Sequence, residues 1–200
     1  MNATKTSLTV AVLTMLLATP MGTLAAYGLH VSRFRFSMYI YVVLSLPLMV
    51  PVIMIAIGVF FLYAKLGMIN SISGLVLAHS MLAVPLVVVL IASGLKSYDM
   101  NQEMVARSLG ASRARAFLTI TLPQIRFSVI TGALLAFLTS LDEVIVALFV
   151  SGGENATITR RMFNALRDQI DPTIASISTL LIAVSMLLLI TAQVFGKERD

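Results

Sequence analysis

Five long apolar runs are the feature that most limits what this chain can fold into. They lie near residues 7–29, 38–63, 73–95, 128–150 and 173–195. A helix needs roughly 20 apolar residues to cross about 30 Å of hydrocarbon, so each run is long enough for one transmembrane helix. The runs lack the alternation of apolar and polar residues that a membrane barrel requires. The sequence therefore predicts an all-α integral membrane protein, with residues 1–200 forming a single domain.

Composition agrees with a bilayer setting and excludes several classes of function. Hydrophobic residues make up 58% of the chain and charged residues 12%, and the mean hydropathy is +0.97. The net charge of +5 arises from basic residues in loops between apolar runs, which the positive-inside rule explains without a nucleic acid partner. The chain has no cysteine, its two histidines are far apart, and it contains no phosphate-binding loop. We therefore expect no catalytic residues, no cofactor, no metal and no ATP hydrolysis by this chain alone.

Basic residues in alternate loops predict the orientation of the chain. One side carries nine of them and the other carries five. The nine are Arg33, Arg35, Lys96, Arg107, Arg113, Arg115, Arg126, Lys197 and Arg199, and the five are Lys5, Lys65, Arg160, Arg161 and Arg167. This excess predicts that loop 96–127 and the C-terminus are cytoplasmic and that loop 151–172 is external. The N-terminus would then lie outside, so either it is translocated or a preceding span is missing.

The loop at 96–127 is polar and helix-forming, and it is broken once by a glycine. Asp99 is placed to cap a first helix, in which apolar residues recur along one side. Gly110 would end that helix in the left-handed conformation, and Ser112 would cap a second helix that leads to Pro123. Physical chemistry alone favours an interfacial amphipathic hairpin that touches lipid headgroups.

The same loop resembles the EAA loop of ABC importer permeases, with the spacing E-A-A, three residues, G, nine residues, I-x-L-P. In that family the loop is a coupling helix that docks on the ATPase subunit. The resemblance implies that ATPase coupling involves Glu103, Met104, Ala106, Gly110, Ala111, Ile120, Leu122 and Pro123. Met104 stands where the motif has glutamate, and the acid is Glu103, one place earlier. We therefore expect the bend at Gly110 to matter more for docking than a salt bridge from Glu103.

Several apolar segments resemble the spermidine/putrescine permeases, in particular the second of their two membrane subunits. They include SLTVAVLTMLLATPMGTLAAYGL, LAHSMLAVPLVVV and ALLAFLTSLDEVIVALFVSG. The resemblance implies a MetI-like helical bundle of about five transmembrane helices in the bacterial inner membrane. It also implies three partners, namely an ABC ATPase, a second permease subunit and an extracytoplasmic solute-binding protein. Members of that subfamily usually have six spans, so the first is expected to be missing through gene start, truncation or divergence.

Two other classes of function remain open from the sequence. A self-sufficient carrier or channel would use the polar loop as a membrane-surface helix. A non-transporting assembly or regulatory membrane protein would need no ATPase at all. Only the importer interpretation requires stable association with an ATPase and transport that stops when that ATPase is inactivated.

Two adjacent acids, Asp142 and Glu143, lie inside the fourth apolar run. On a continuous helix from Ser128, Asp142 would lie about 21 Å along the axis, well inside the hydrocarbon. An acid there costs roughly 3 kcal/mol on insertion scales, so it should face the bundle interior or a water-filled path. These acids are predicted to attract the ammonium groups of a polyamine. A structural hydrogen bond, or an ion pair with the sister subunit, is the alternative.

The external loop and one histidine give two further expectations. Met162, Leu166 and Ile170 recur at helical spacing, which predicts an amphipathic helix at the mouth of the path or a lid on the bundle. His79 lies inside the third apolar run, where we expect a hydrogen bond to a neighbouring helix rather than a role as proton carrier.

Overall fold

Helices and short connecting turns account for the described part of the chain. The computed structural model describes residues 2–32, 34–168 and 173–196. The helices are α1 (Asn2–Val31), α2 (Ser37–Ser45), α3 (Val52–Leu66), α4 (Ile72–Lys96), α5 (Asn101–Ser108), α6 (Arg113–Ala116), α7 (Leu122–Gln124), α8 (Arg126–Asp142), α9 (Ile145–Val150), α10 (Ile158–Asp168) and α11 (Thr173–Gly196). Two 3₁₀ turns (Leu46–Leu48 and Gly153–Asn155) and a π-helical turn (Phe117–Thr121) connect them.

Helices α1, α4 and α8 form the centre of the bundle. At one end the C-terminal part of α1 contacts α5, because the Tyr27 hydroxyl donates to Glu103. We call this the hairpin end. At the opposite end, which we call the distal end, the Ser7 hydroxyl accepts a hydrogen bond of 2.8 Å from the backbone of Ile158. Helices α1 and α4 therefore run from the distal end to the hairpin end, and α8 returns.

Small residues allow α1 to approach α4 closely. Ala11, Ala18, Gly22 and Ala26 of α1 are all buried. A methyl group added at Gly22 would lie only 2.6 Å from Cγ1 of Val87 on α4. Small residues at helix contacts are the usual means by which apolar helices pack tightly in lipid, where no hydrophobic force holds them together.

The buried apolar side chains form two clusters, one toward each end of the bundle. The cluster nearer the hairpin end comprises Ala18, Ala26, Tyr27, Ala83, Val87, Val88, Ile91, Leu95, Phe117, Ile125 and Ala136. The distal cluster comprises Val10, Ala56, Val59, Tyr63, Leu75, Val76, Ala78, Leu82, Val146 and Val150. The distal cluster joins α3 and α9 to the central helices, whereas the other cluster joins the bundle to the segment 117–125.

A short chain of polar side chains crosses the centre of the bundle. Nδ1 of His79 on α4 lies 2.8 Å from the Ser140 hydroxyl on α8. That hydroxyl lies 3.3 Å from the Thr14 hydroxyl on α1, and all three side chains are buried. The expected bond from His79 to a neighbouring helix is present. It fixes the rotation of three helices relative to one another.

The second apolar run is not one continuous helix, which corrects the expectation for residues 38–63. Helices α2 and α3 meet at 94°. Pro47 lies in the 3₁₀ turn after α2, and Pro51 directly precedes α3. Proline lacks the backbone N–H that a helix needs, so two prolines four residues apart end one helix and start another. By contrast, Pro20 and Pro85 lie inside α1 and α4, which continue through them.

The fourth apolar run, 128–150, is also interrupted, although it contains no proline. Helix α8 ends at Asp142, and Glu143 has an extended backbone (φ −67°, ψ 116°). The Glu143 carboxylate accepts a 2.8 Å hydrogen bond from the backbone N–H of Val146, in the first turn of α9. The expectation that Asp142 and Glu143 share one continuous helix is therefore wrong.

The number of membrane spans depends on how the bent helices are counted. Within the described residues, α1 and α4 each have the length and hydropathy to cross a membrane. Two bent pairs raise the number to four if each pair is one span, namely α2 with α3 at 94° and the segment Arg113–Gln124 with α8 at 79°. Helix α11, 24 residues long, contains the apolar stretch Ser176–Thr191. Length and composition of the described residues thus give two to four spans, and the expected total of five stays a prediction.

Candidate functional site

A helical hairpin of residues 101–124 covers one end of the bundle, and local sequence signals explain its shape. Oδ1 of Asp99 accepts a 2.9 Å hydrogen bond from the backbone of Asn101, at the start of α5. Gly110 follows α5 with a φ of +95°. The backbone N–H of Gly110 donates to Arg107 and that of Ala111 donates to Ala106, each at 3.1 Å. This is the Schellman arrangement that a C-terminal glycine permits.

The second half of the hairpin begins as the sequence predicts and then departs from a regular helix. The Ser112 hydroxyl accepts a hydrogen bond of 3.3 Å from the backbone of Arg115, so Ser112 caps α6. A π-helical turn follows, and it buries Phe117 and Thr121. Single π-helical turns occur frequently at functional sites, because they rotate side chains away from the regular helical spacing.

Glu103 is the buried residue that holds the hairpin to the bundle. Its side chain is only 2% exposed, and both carboxyl oxygens accept hydrogen bonds. Oε1 accepts from the Tyr27 hydroxyl on α1, and Oε2 accepts from the Thr121 hydroxyl in the π-helical turn, each at 2.6 Å. The Tyr27 ring also packs on Phe117, with centroids 4.4 Å apart. Glu103 therefore connects three separate segments of the chain.

The hydrogen bonds from Tyr27 and Thr121 to Glu103 were not predicted from the sequence. Tyr27 lies 76 residues before Glu103, and Thr121 lies 18 residues after it. Neither separation corresponds to a local capping or helical pattern. The one available signal was an acid in a short helix beside a membrane surface, because a buried acid of this kind needs hydrogen-bond donors.

The outer surface of the hairpin is apolar. Leu109 is 84% exposed at the bend, and Met104, Val105 and Leu118 are each more than half exposed. The remaining predicted coupling residues differ in their burial. Ala106, Ala111, Ile120 and Leu122 are half-buried, and Pro123 is exposed. An exposed apolar patch of this kind marks a surface that contacts another protein or lipid.

The two acids of the fourth apolar run have separate environments. Glu143 caps α9, so its carboxylate has a structural hydrogen bond of the kind that the sequence left as an alternative. Its backbone carbonyl also accepts a 2.9 Å hydrogen bond from the Thr159 hydroxyl. Asp142 is exposed at the end of α8.

A cavity of about 270 Å³ lies beside Asp142, between α8, α10 and α11. Its wall is mostly apolar and includes Phe163 and Leu166 of α10 and Leu181 of α11. The amphipathic helix expected in the external loop is thus present as α10, and its apolar side faces this cavity. Ile170, which extended the predicted pattern, lies outside the described residues.

Solved structures with the same fold come from ABC transporters. An amino acid ABC transporter crystallised with histidines matches with a TM-score of 0.69 and 19% identity, over 96% of this chain and 90% of that chain. The methionine transporter MetNI in an inward-facing conformation matches with a TM-score of 0.72 and 12% identity, over 97% and 91%. A central bundle with a helical hairpin at one end is therefore the MetI-like fold that this chain shares with these transporters.

Comparison with related sequences shows the family to which the chain belongs. Residues 18–197 match the family of binding-protein-dependent transport system inner membrane components, and the chain belongs to that family. It is 30% identical over 199 residues to the spermidine/putrescine transport system permease protein PotC of Escherichia coli K12, covering 100% of this chain and 75% of that protein. It is 33% identical to the putrescine transport system permease protein PotI of the same strain, covering 91% and 67%. The chain is therefore a permease of an ABC importer.

Proposed function

We propose that this permease is one of two membrane subunits of an ATP-driven importer of polyamines, such as spermidine and putrescine, in the bacterial inner membrane. A separate ATPase supplies the energy, and a soluble extracytoplasmic binding protein delivers the substrate. The observation that carries this proposal is the identity of 30% to PotC over the whole of this chain, together with 33% to PotI. A relative named for another solute, the molybdenum permease protein ModB of Haemophilus influenzae, is 34% identical over a smaller share, 83% of this chain.

The α5–α7 hairpin is proposed as the surface that docks on the ATPase. Three features support this role. Apolar side chains, led by Leu109, project from the bend; the Schellman turn at Gly110 holds that bend; and Glu103 anchors the hairpin to α1. A surface that merely touched lipid headgroups would not need a buried, doubly hydrogen-bonded carboxylate behind it.

The hairpin end is proposed to face the cytoplasm, together with the C-terminus. The described basic side chains at this end include Lys96, Arg107, Arg113, Arg115 and Arg126, which supports this orientation under the positive-inside rule. Lys197 and Arg199, which the sequence argument also used, lie outside the described residues, as does Arg33.

Asp142 is proposed to lie on the substrate path near the external side. Its carboxylate borders the cavity between α8, α10 and α11, whose walls are mainly aliphatic and aromatic. A polyamine combines ammonium groups with methylene chains, so an acid beside an apolar wall matches both parts of it. Glu143 is proposed to shape this site by capping α9 rather than by touching substrate.

Reconstitution tests the proposed function directly. This permease would be coexpressed with its neighbouring permease, ATPase and binding protein, purified, and placed in liposomes. We expect uptake of radiolabelled spermidine or putrescine that requires ATP and stops when the ATPase is inactivated. Unlabelled polyamine should compete with the label, whereas molybdate should not. Uptake without the ATPase would instead identify a self-sufficient carrier, and competition by molybdate alone would overturn the proposed substrate class.

A further inference from the structure

A polar groove of about 660 Å³ lies between α4 and α8 at the hairpin end, at the opposite end of α8 from Asp142. One face of each helix lines it, at the spacing i, i+3, i+4 and i+7. The α4 face consists of Leu90, Ser93, Gly94 and Ser97, and the opposite face consists of Gln124, Phe127, Ser128 and Thr131. Gly94 lies so close to Ser128 that an added methyl group would overlap its side chain.

The polar groups that line this groove can all accept a hydrogen bond, and the charge among them is negative. Asp99 is the charged side chain of the lining within the described residues, and one of its oxygens accepts the hydrogen bond from the backbone of Asn101 at the start of α5. The Tyr98 hydroxyl is buried and has no hydrogen-bond partner in the described part of the chain. Serine and threonine hydroxyls and the glutamine carbonyls offer further acceptors. A buried, unpaired hydroxyl costs free energy unless a ligand or water satisfies it.

We propose that this groove binds a primary ammonium group, as a second substrate site at the end of the path nearest the hairpin. An ammonium group carries three N–H donors and one positive charge, which match several oxygen acceptors around a single carboxylate. An anion of similar size would meet the charge of Asp99 instead. The ligand class rests on the proposed polyamine substrate, whereas the preference for cations does not.

The position of the groove links its occupancy to the hairpin. Asp99 immediately precedes α5, and Gln102 lies in its first turn, so both belong to the hairpin side of the groove. The Gln124 amide approaches the Gln102 carbonyl to 3.5 Å across the groove. A bound ammonium group would therefore contact both the helices of the bundle and the element proposed to dock on the ATPase.

A cysteine introduced into this cysteine-free chain can report the charge preference of the groove. Ser97 lines the groove and is exposed, so Ser97→Cys is a mild change. In the assembled importer, the labelling rates of this chain by a cationic (aminoethyl) and an anionic (sulfonatoethyl) methanethiosulfonate would be compared by mass spectrometry. Ser32→Cys, exposed at the same end but outside the groove, is the matched control.

We expect the ratio of the cationic to the anionic labelling rate to be at least about fivefold higher at Ser97→Cys than at Ser32→Cys. One unit charge near contact in water contributes about 1 kcal/mol, or about fivefold, to the rate of each reagent, and it acts in opposite directions on the two. Adding Asp99→Asn, which keeps the oxygen that caps α5, should abolish this preference. Spermidine should slow the labelling of Ser97→Cys and leave Ser32→Cys unchanged.

Other outcomes distinguish the proposed ammonium site in the groove from the proposed polyamine substrate. An equal rate ratio at the two cysteines, or a preference that survives Asp99→Asn, would overturn the groove as an ammonium site even if spermidine uptake is normal. A preference that depends on Asp99, without protection by spermidine or putrescine, would support a cation site in the groove and contradict the polyamine assignment.

Discussion

The two hydrogen bonds to Glu103 give the most specific prediction, because one hydroxyl can be removed with little change in packing. Tyr27→Phe deletes the donor to Oε1 and retains the ring that packs 4.4 Å from Phe117. A hydrogen bond to a charged group contributes about 1.5–3 kcal/mol. Loss of this bond should therefore shift the equilibrium between the docked and released hairpin by about 10- to 150-fold toward release.

Hydrogen exchange of the backbone amides in α5 measures this shift. We expect amides of residues 104–109 in Tyr27→Phe to exchange faster by that same factor in the reconstituted permease, because their protection requires a docked hairpin. Amides in the middle of α4 should be unchanged. Tyr39→Phe is the matched control, since Tyr39 is 67% exposed on α2 and is not one of the two donors to Glu103.

A double-variant cycle tests whether the two hydroxyls act through the same carboxylate. Thr121→Val removes the donor to Oε2 and keeps the shape of the side chain. Each single variant leaves Glu103 with one donor, whereas the double variant leaves a buried carboxylate with neither. The double variant should therefore cost more than the sum of the two single variants. Additive effects, or an unchanged exchange rate in Tyr27→Phe, would refute Glu103 as the anchor of the hairpin.

Three further predictions address coupling, topology and the substrate path. Gly110→Val should abolish uptake while leaving membrane insertion intact, since a β-branched residue with φ near +95° costs about 1 kcal/mol or more; normal uptake and ATPase association would contradict this. Single cysteines at Arg113 and Asn155 should react differently with an impermeant reagent in intact cells, with labelling only at Asn155; the reverse pattern would invert the topology. Asp142→Asn should lower polyamine uptake at near-normal expression, and Glu143→Gln should have a smaller effect because glutamine retains an oxygen that can cap α9. Normal uptake by Asp142→Asn would show that the charge is not required.

Local rules predicted the hairpin well because its determinants are close in sequence. Asp99, Gly110 and Ser112 each act on backbone groups within about four residues, and all three form the hydrogen bonds or the backbone conformation expected of them. The relative importance of Gly110 and Glu103 was harder to predict. The sequence predicted no partner for Glu103 within the chain, whereas its observed partners are two hydroxyls of its own chain, brought together only by tertiary packing.

Breaks in the apolar runs show where hydropathy is insufficient as a predictor. Pro47 and Pro51 separate α2 from α3, yet Pro20 and Pro85 lie within continuous helices, so proline alone does not decide. Neighbouring helices can compensate for one lost backbone hydrogen bond in lipid. At Glu143 the helix breaks without proline, and the acid itself caps the helix that follows. Hydropathy averaged over a window of residues does not show whether a side chain in that window caps a helix.

Helix α5 is attached to the bundle at two places, at the groove where the helix starts and at the hydrogen bonds of Glu103. Together these two attachments determine which helices move when a partner pushes on the hairpin. Helix α5 follows α4 through only four residues, 97–100, and the groove lies at that junction. About two helical turns after the start of α5, the exposed bend of the hairpin carries Leu109, the residue that a docking partner would contact. Between these points Glu103 connects α5 to α1 through Tyr27 and to the π-helical turn through Thr121. A displacement of the bend therefore has to move α1 and the π-helical turn with it or break a buried hydrogen bond. Because the groove is formed by α4, α8 and the first turn of α5, that same displacement would also change its width.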